Sequence, residues 1–137
     1  MGLLDVNVLV ALAWDSHVHH VRTRAWFAAN RSDGWATCPV TESGFVRISS
    51  NSRVLPHAIG VEAARGVLSA LRASGGHRFL VDDVSIADAD VPRIVGHRQV
   101  TDAHLLTLAR RRGVRVVTFD RGLLALADAD DIELLTM

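Results

Sequence analysis

Short apolar runs recur along the chain, separated by segments in which apolar and polar residues are interleaved. The runs are shorter than a typical helix and lack strict alternation, as in strands buried on both faces of a sheet. Pro39 limits the second run, because proline cannot donate to a central strand ladder. Strands are therefore predicted over residues 2–6, 35–38, 79–81, 114–119 and 132–135.

The interleaved segments have the three- and four-residue spacing of amphipathic helices. The clearest begins at Thr101, places Leu105, Leu108 and Ala109 on one stripe, and ends at Gly113. Further helices are predicted over 8–14, 17–30 (with Asp15 and Ser16 as its cap signal), 41–50, 61–73 and 123–127, with a loop over 51–60 and a turn and short helix between 82 and 95.

Strands that alternate with helices predict an α/β fold with a mostly parallel central sheet of about five strands, covered by helices on both faces. The 137 residues suit a single domain spanning 1–137. No apolar run reaches the roughly 18 residues of a membrane span, and Asp5 interrupts what would be the apolar part of a signal peptide.

Composition narrows the possible partners. Fifteen basic and fifteen acidic residues balance to zero charge, so a contact with nucleic acid must be local. Every basic residue is Arg, and Lys is absent. The single cysteine, Cys38, cannot form an internal disulfide and is typical of a buried thiol in a reducing compartment, so a cytoplasmic location is expected.

Asp5 is the first residue that suggests chemistry, because it lies in an apolar segment with no Lys or Arg before residue 22. A buried carboxylate needs a partner or a metal. It could simply cap the helix that follows, with Asn7 as a rival cap. The alternative is a site at the carboxyl ends of the strands, where ligands bind in open parallel sheets.

Three more acids fall at the same predicted edge and favour the site over the cap. Glu42 and Asp102 lie in the first turns of helices, and Asp120 follows the strand predicted over 114–119. Two carboxylates ~5 Å apart repel by about 3 kcal/mol at an effective dielectric near 20. An all-oxygen set of this kind suits Mg²⁺ or Mn²⁺, which serve phosphodiester hydrolysis by activating water and stabilising phosphoryl charge.

Other acid-rich α/β proteins fit less well. Receiver domains and haloacid-dehalogenase phosphatases need a Lys, which this chain lacks, and the latter also need Asp-x-Asp where Asp5-Val6-Asn7 stands. Neither a G-x-G-x-x-G motif nor a P-loop is present, so a nucleotide-cofactor fold is not favoured.

Four blocks of sequence resemble a PIN domain, and within that family the VapC-type ribonuclease toxins. They are LLDVNVL at the start, PVTESGFVRI from 39, VTDAHLLTLAR from 100 and VVTFDRGL from 116. Each block alone is weak, but the ordered set spans nearly the whole chain. The resemblance implies a Mg²⁺-dependent endoribonuclease, with Mn²⁺ able to substitute, that acts on structured RNA such as tRNA or rRNA, dimerises and is inhibited by a cognate antitoxin.

The resemblance also assigns roles to residues. Asp5, Glu42, Asp102 and Asp120 are the expected catalytic acids; Asp5 and Asp102 are expected as direct metal ligands, and Asp120, like Glu42, completes the site directly or through water. Asn7 and Thr118 are expected to hold acids in place by hydrogen bonds. Apart from the resemblance, Arg47, Arg53, Arg98 and Arg121 lie nearer the predicted acidic edge in sequence than the other arginine cluster and are the expected RNA contacts.

Two further clusters have simpler explanations. His17 and His20 could share a helix face as metal ligands, but no Cys or further ligand completes such a site, and a solvated helix start is favoured. Arg110 to Arg112 could bind phosphate, although basic residues in a last helical turn are what the helix dipole favours. Two functions besides the toxin stay open: a PIN nuclease of RNA or DNA processing outside a toxin pair, and an inactive PIN-like module that binds a protein.

Overall fold

Five short strands form one parallel sheet in the computed structural model, which describes residues 1–136. They are β1 (Gly2–Leu4), β2 (Trp35–Thr37), β3 (His77–Phe79), β4 (Arg115–Thr118) and β5 (Ile132–Leu134). The order across the sheet is β3-β2-β1-β4-β5. The chain therefore starts in the centre, builds outward through β2 and β3, and then crosses to the other side of β1.

Five helices connect and cover the strands, as the alternating pattern predicts. They are α1 (Val6–Ala13), α2 (His20–Asn30), α3 (Pro39–Ser49), α4 (Val61–Arg72) and α5 (Val100–Arg112), with short 3-10 turns at Arg31–Asp33, His97–Gln99, Arg121–Ala125 and Ala129–Asp131. Within residues 1–136, none of the helices has both the length and the apolar character needed to cross a bilayer.

Alternate residues of the strands enter two separate cores, one on each face of the sheet. Leu4 and Trp35 pack with residues of α1 to α4, including Phe45. Leu3 and Val116 pack on the other face with residues of α5 and the C-terminal segment. The predicted three-layer α/β/α architecture is confirmed.

The structure corrects four local predictions. The third strand lies at 77–79 rather than 79–81, where it pairs with β2. It is an edge strand in which Phe79 is exposed, and of the predicted residues only Leu80, just beyond the strand, is buried, so the apolar run did not mark the strand. The helix predicted over 17–30 begins at His20, and turns fill the interval from Asp15, so Asp15 and Ser16 do not cap it. In place of the helix predicted over 123–127 there is a 3-10 turn over Arg121–Ala125, and 82–95 contains turns but no helix.

Two glycines offer a matched test of the backbone. Gly76 precedes β3 with φ 77°, and a Cβ there would lie 2.3 Å from the Arg31 carbonyl oxygen, whereas Gly66 lies within α4 with open space around it. We expect Gly76→Ala to lower the free energy of unfolding by more than about 1–2 kcal/mol. Gly66→Ala should raise it by about 0.5–1 kcal/mol. Urea unfolding of both variants checks this, and equal effects would contradict it.

Candidate active site

Two acids follow the adjacent central strands β1 and β4. Asp5 follows β1 and Asp120 lies two residues beyond the end of β4, and these strands are paired with Leu4 opposite Val117. The Asp5 N–H continues the ladder by donating to the Val117 carbonyl over 2.9 Å. The chain continues from β1 to β2 in one direction across the sheet and from β4 to β5 in the other. The carboxyl ends of β1 and β4 therefore form the topological switch point, where open α/β sheets bind ligands.

Asp5 is 8 % exposed, and both of its carboxylate oxygens are engaged. Oδ1 accepts a hydrogen bond from Val6 N at 2.7 Å, which caps α1, and Oδ2 accepts one from Thr118 Oγ1 at 2.8 Å. Burial nevertheless raises the pKa of Asp5, and the neighbouring Asp120 adds to the rise. The sequence pattern favours a site residue over a helix cap for Asp5. The structure shows that Asp5 does cap α1, so treating the two roles as exclusive was wrong. Asn7 lies exposed within α1 and is not the cap.

Thr118 connects two of the acids. Its hydroxyl donates to Asp5 and accepts a hydrogen bond from the Asp120 backbone N–H at 3.0 Å. The Asp120 side chain is exposed and accepts from Gly122 N at 2.7 Å, which caps the 3-10 turn. Within residues 1–136, Asn7 makes no side-chain hydrogen bond to an acid, so the predicted holding contact is present for Thr118 and absent for Asn7.

Asp102 faces these two acids from the first turn of α5. Its pKa is raised from 3.8 to about 6, first by burial and then by the negative charges of Asp5 and Asp120. Among residues 1–136 its carboxylate has no hydrogen-bond or ion-pair partner. The three carboxylates repel one another with no basic side chain to neutralise them.

This set of donors suits a hard divalent cation. Carboxylate oxygens are the ligands that Mg²⁺ and Mn²⁺ prefer, and Mg²⁺ keeps several waters and needs only one or two carboxylates. Within the described part of the chain, no three acidic, histidine or cysteine side chains form a preassembled ligand cluster. The fit therefore rests on the chemistry and mutual repulsion of Asp5, Asp102 and Asp120.

Glu42 lies in a second polar network on the β2 and β3 side. Its Oε2 accepts a 2.6 Å hydrogen bond from Thr37 Oγ1, and its Oε1 lies 3.5 Å from Arg72 Nη1. The Thr37 hydroxyl is also 2.7 Å from His77 Nε2. Burial lowers the pKa of His77, Arg72 lowers it further, and Glu42 opposes that effect. Glu42 is thus paired with the Thr37 hydroxyl and the Arg72 guanidinium. It does not contribute to the raised pKa of Asp5 or Asp102.

The network around Glu42 was missed by sequence reasoning, although part of it carried a signal. Thr37 is the last residue of β2, so a search for polar residues, and not only acids, at the carboxyl ends of strands would have found its hydroxyl. Arg72 ends α4 and His77 begins β3, and nothing in their spacing from Glu42 indicates a contact.

All four arginines expected to contact RNA are exposed, and none forms an ion pair within residues 1–136. Arg47 of α3 lines a cavity together with Val6 and Thr101, the neighbours in sequence of Asp5 and Asp102. Arg121 directly follows Asp120. Arg53 lies in the 51–60 loop and Arg98 in the 3-10 turn before α5.

The arginine triplet at the end of α5 is occupied by other contacts. Arg110 pairs with Asp131, Arg111 with Asp88 and Asp90, and Arg112 with Asp83. The pairs of Arg111 and Arg112 hold the acidic 82–90 segment against α5, where the structure has turns instead of the predicted helix. Arg111 also lowers the pKa of Asp88 and Asp90. The phosphate-binding alternative for the triplet is therefore not favoured.

The histidine pair bonds to the backbone. His20 Nδ1 lies 2.8 Å from the Ala11 carbonyl, and His17 Nδ1 accepts from His19 N at 3.1 Å. Burial lowers the pKa of His17, as do His19 and His20. Both side chains are half-buried and His17 lies before α2, so the predicted solvated helix start is wrong, and the backbone contacts account for both rings without a metal.

Comparison with known proteins gives a consistent result. A family model described as PIN domain matches residues 2–129. Ribonuclease VapC38 of Mycobacterium tuberculosis is 69% identical over 140 residues, covering 100% of this chain and 99% of that protein. Ribonuclease VapC39 of the same species is 46% identical, covering 98% and 99%. The crystal structure of M. tuberculosis VapC20, described as a sarcin-ricin loop cleaving toxin, shares the fold with a TM-score of 0.62 at 15% identity, over 91% of this chain and 94% of that one.

Proposed function

Since the chain belongs to the PIN-domain family and aligns over its full length with VapC ribonucleases, we propose that it is the toxin of a type II toxin–antitoxin module. It is an endoribonuclease that uses Mg²⁺, or Mn²⁺ in its place, to hydrolyse phosphodiester bonds in structured RNA such as tRNA or rRNA, which blocks translation. A cognate antitoxin inhibits it, and it acts as a homodimer in the cytoplasm.

The observation that carries this proposal is the group of three carboxylates at the switch point, where Asp102 has a pKa of about 6 and no compensating cation. Asp5 and Asp102 would bind the metal directly, and Asp120 would complete the site. When bound, the metal activates water and stabilises the charge that develops on the phosphoryl oxygens. Thr118 holds Asp5 in place, and Glu42 or Asp120 accepts the proton of the attacking water.

RNA binding relies on local positive charge, because the chain as a whole is neutral. Arg47 shares a cavity with Val6 and Thr101, and Arg121 follows Asp120 in the chain, so both would bind phosphates flanking the scissile bond, together with Arg53 and Arg98. The antitoxin would dock in the open groove of about 530 Å³ between α3 and α4, which is lined by Glu42, Arg47, Val61 and Leu68.

The test is cleavage of total RNA by the purified protein with Mg²⁺ or Mn²⁺, followed by sequencing of the RNA ends after brief expression in cells. We expect cleavage at a small number of sites and growth arrest that the gene encoded next to the toxin relieves. Cleavage without growth arrest would instead indicate a processing nuclease. A protein that neither binds divalent metal nor cuts RNA would leave only a protein-binding role.

Thr118→Val tests the support of the acids. The variant loses the donor to Asp5 and the acceptor for Asp120 N, so we expect the free energy of unfolding to fall by about 1–3 kcal/mol and RNA cleavage to fall about 10–100-fold. The matched control is Thr107→Val, which removes an equally buried hydroxyl that donates to the Ala103 carbonyl within α5. Cleavage assays should show loss for the Thr118 variant only, and equal losses in both would contradict a specific role for Thr118.

A further inference from the structure

An aromatic pair includes Phe119, the residue that precedes Asp120 in the chain. The ring of His19, just before α2, stacks on Phe119 with centroids 4.5 Å apart and planes 24° apart. Phe119 stands in the chain between Thr118, which holds Asp5, and Asp120. The fold therefore brings an imidazole from residue 19 to the edge of the proposed catalytic site, and neither the acids nor their support uses it.

His19 and Phe119 line a cavity of about 250 Å³ together with Arg121, Leu134, Leu135 and Thr136. The two leucines and the aromatic pair make most of its wall apolar, and the exposed Arg121 provides a cation at its rim. Its volume is below the roughly 300–1,000 Å³ of sites for drug-sized ligands. It therefore suits one flat ring rather than a whole small molecule or a peptide.

We propose that this cavity is a base-binding subsite, which takes one unpaired nucleobase next to the phosphodiester bond that is cleaved at the acidic residues. Unstacked bases of RNA bind to aromatic side chains and are read by hydrogen bonds along their edges. His19 and Phe119 provide the aromatic wall, and Arg121 binds the adjoining phosphate. The inference rests on the proposed ribonuclease function and adds the residues that select the cleavage position.

The experiment measures binding, so that it does not depend on catalysis. Fluorescein-labelled single-stranded hexaribonucleotides of A, C and U, each also prepared with one abasic residue at successive positions, are titrated with the wild-type protein in EDTA and followed by fluorescence anisotropy. We expect one abasic position to weaken binding about 5–100-fold, the value of one base–aromatic stack. The other abasic positions should have smaller effects.

Variants then link that position to the cavity. His19→Ala should bind intact RNA as weakly as the wild type binds the sensitive abasic RNA, and it should lose no further affinity on that RNA, because residue and base act on the same contact. Arg121→Gln should weaken binding of every RNA and reduce the salt dependence by about one phosphate contact. His57→Ala, which removes an exposed imidazole from the 51–60 loop, is the control and should behave as wild type.

Thermal unfolding of each variant shows whether it is folded. If His19→Ala does not fold, Thr136→Trp, which fills the cavity from an exposed position, should abolish the abasic effect in its place. Equal affinity for all abasic positions, or an abasic penalty that persists in these variants, would overturn the inference. With RNA cleavage by the wild type intact, that result leaves the proposed function standing. A protein that neither binds nor cuts RNA overturns both, and selective binding without cleavage overturns only the proposed catalysis.

Discussion

Asp102→Asn should abolish RNA cleavage and leave a protein that is at least as stable as the wild type. The carboxylate has no structural partner within residues 1–136, whereas it shares the site with Asp5 and Asp120. Losing a group that positions a reactant or stabilises developing charge costs at least about 10²-fold in rate. We therefore expect kcat/KM on RNA to fall by more than that, with the circular dichroism spectrum unchanged.

The stability of this variant follows from the sign of the pKa shift. The pKa of Asp102 is higher in the folded protein, so the folded state binds its proton more tightly than the unfolded state does. The wild type is therefore penalised as pH rises from 3.8 through about 6, and fully so at pH 7. Allowing for solvent screening of a half-buried group, the Asn variant should gain about 1 kcal/mol at pH 7. The gain should disappear below pH 4.

Asp33→Asn is the matched control, because Asp33 is an exposed acid just before β2, at the opposite end of the strands from the site. It should leave both cleavage and the pH dependence of unfolding unchanged. Activity assays and urea unfolding at pH 4 and pH 7 check these results. A fully active Asp102→Asn protein would remove Asp102 from the catalytic set.

The acids at the centre of the sheet could be predicted because their placement follows from topology alone. Asp5 and Asp120 follow strands that read as continuous apolar runs, and all parallel strands present their carboxyl ends at one edge. The position of Asp102 could be predicted because it lies in the first turn of a helix with a clear apolar stripe. These inferences require only the order of elements, which hydrophobic periodicity records well.

The surroundings of Glu42 could not be predicted in the same way. Its partners Thr37 and Arg72 come from two elements. His77, which contacts the Thr37 hydroxyl, comes from the edge strand β3, whose hydrophobic pattern is weak because much of the strand is exposed. Local sequence also misled for α2, since Val18 and Val21 fit helical spacing but are 77% and 82% exposed. Periodicity shows which residues could share a face, but it does not show whether that face is covered.

The same limit applies to the acidic segment before α5. Ile86 and Ala87 between aspartates resemble the start of a short helix, yet Asp88 and Asp90 reach across to Arg111. Such long-range ion pairs leave no signature in the spacing of either segment. The position of His19 against Phe119 is likewise a product of tertiary structure, since the two residues are 100 positions apart in the chain.

Removing divalent metal should abolish cleavage, and the affinity for metal should depend steeply on pH. A carboxylate must lose its proton to bind a cation, so metal and proton compete for the same site. Because the pKa of Asp102 is about 6, and burial also raises that of Asp5, we expect the apparent Kd for Mg²⁺ or Mn²⁺ to rise about tenfold per pH unit below pH 6. Above pH 7 it should be nearly constant.

Two measurements test this competition. Isothermal titration with Mn²⁺ at pH 5, 6, 7 and 8 gives the affinity directly, and thermal unfolding with and without metal gives it indirectly, since a ligand at 100 times its Kd stabilises by about 2.7 kcal/mol. Asp102→Asn should bind metal more weakly and lose most of the pH dependence between pH 5 and 7, whereas Asp33→Asn should keep it. Cleavage that persists in EDTA would contradict the metal requirement. A Kd that is independent of pH would show that the cation binds elsewhere than at the carboxylates whose pKa values the fold raises.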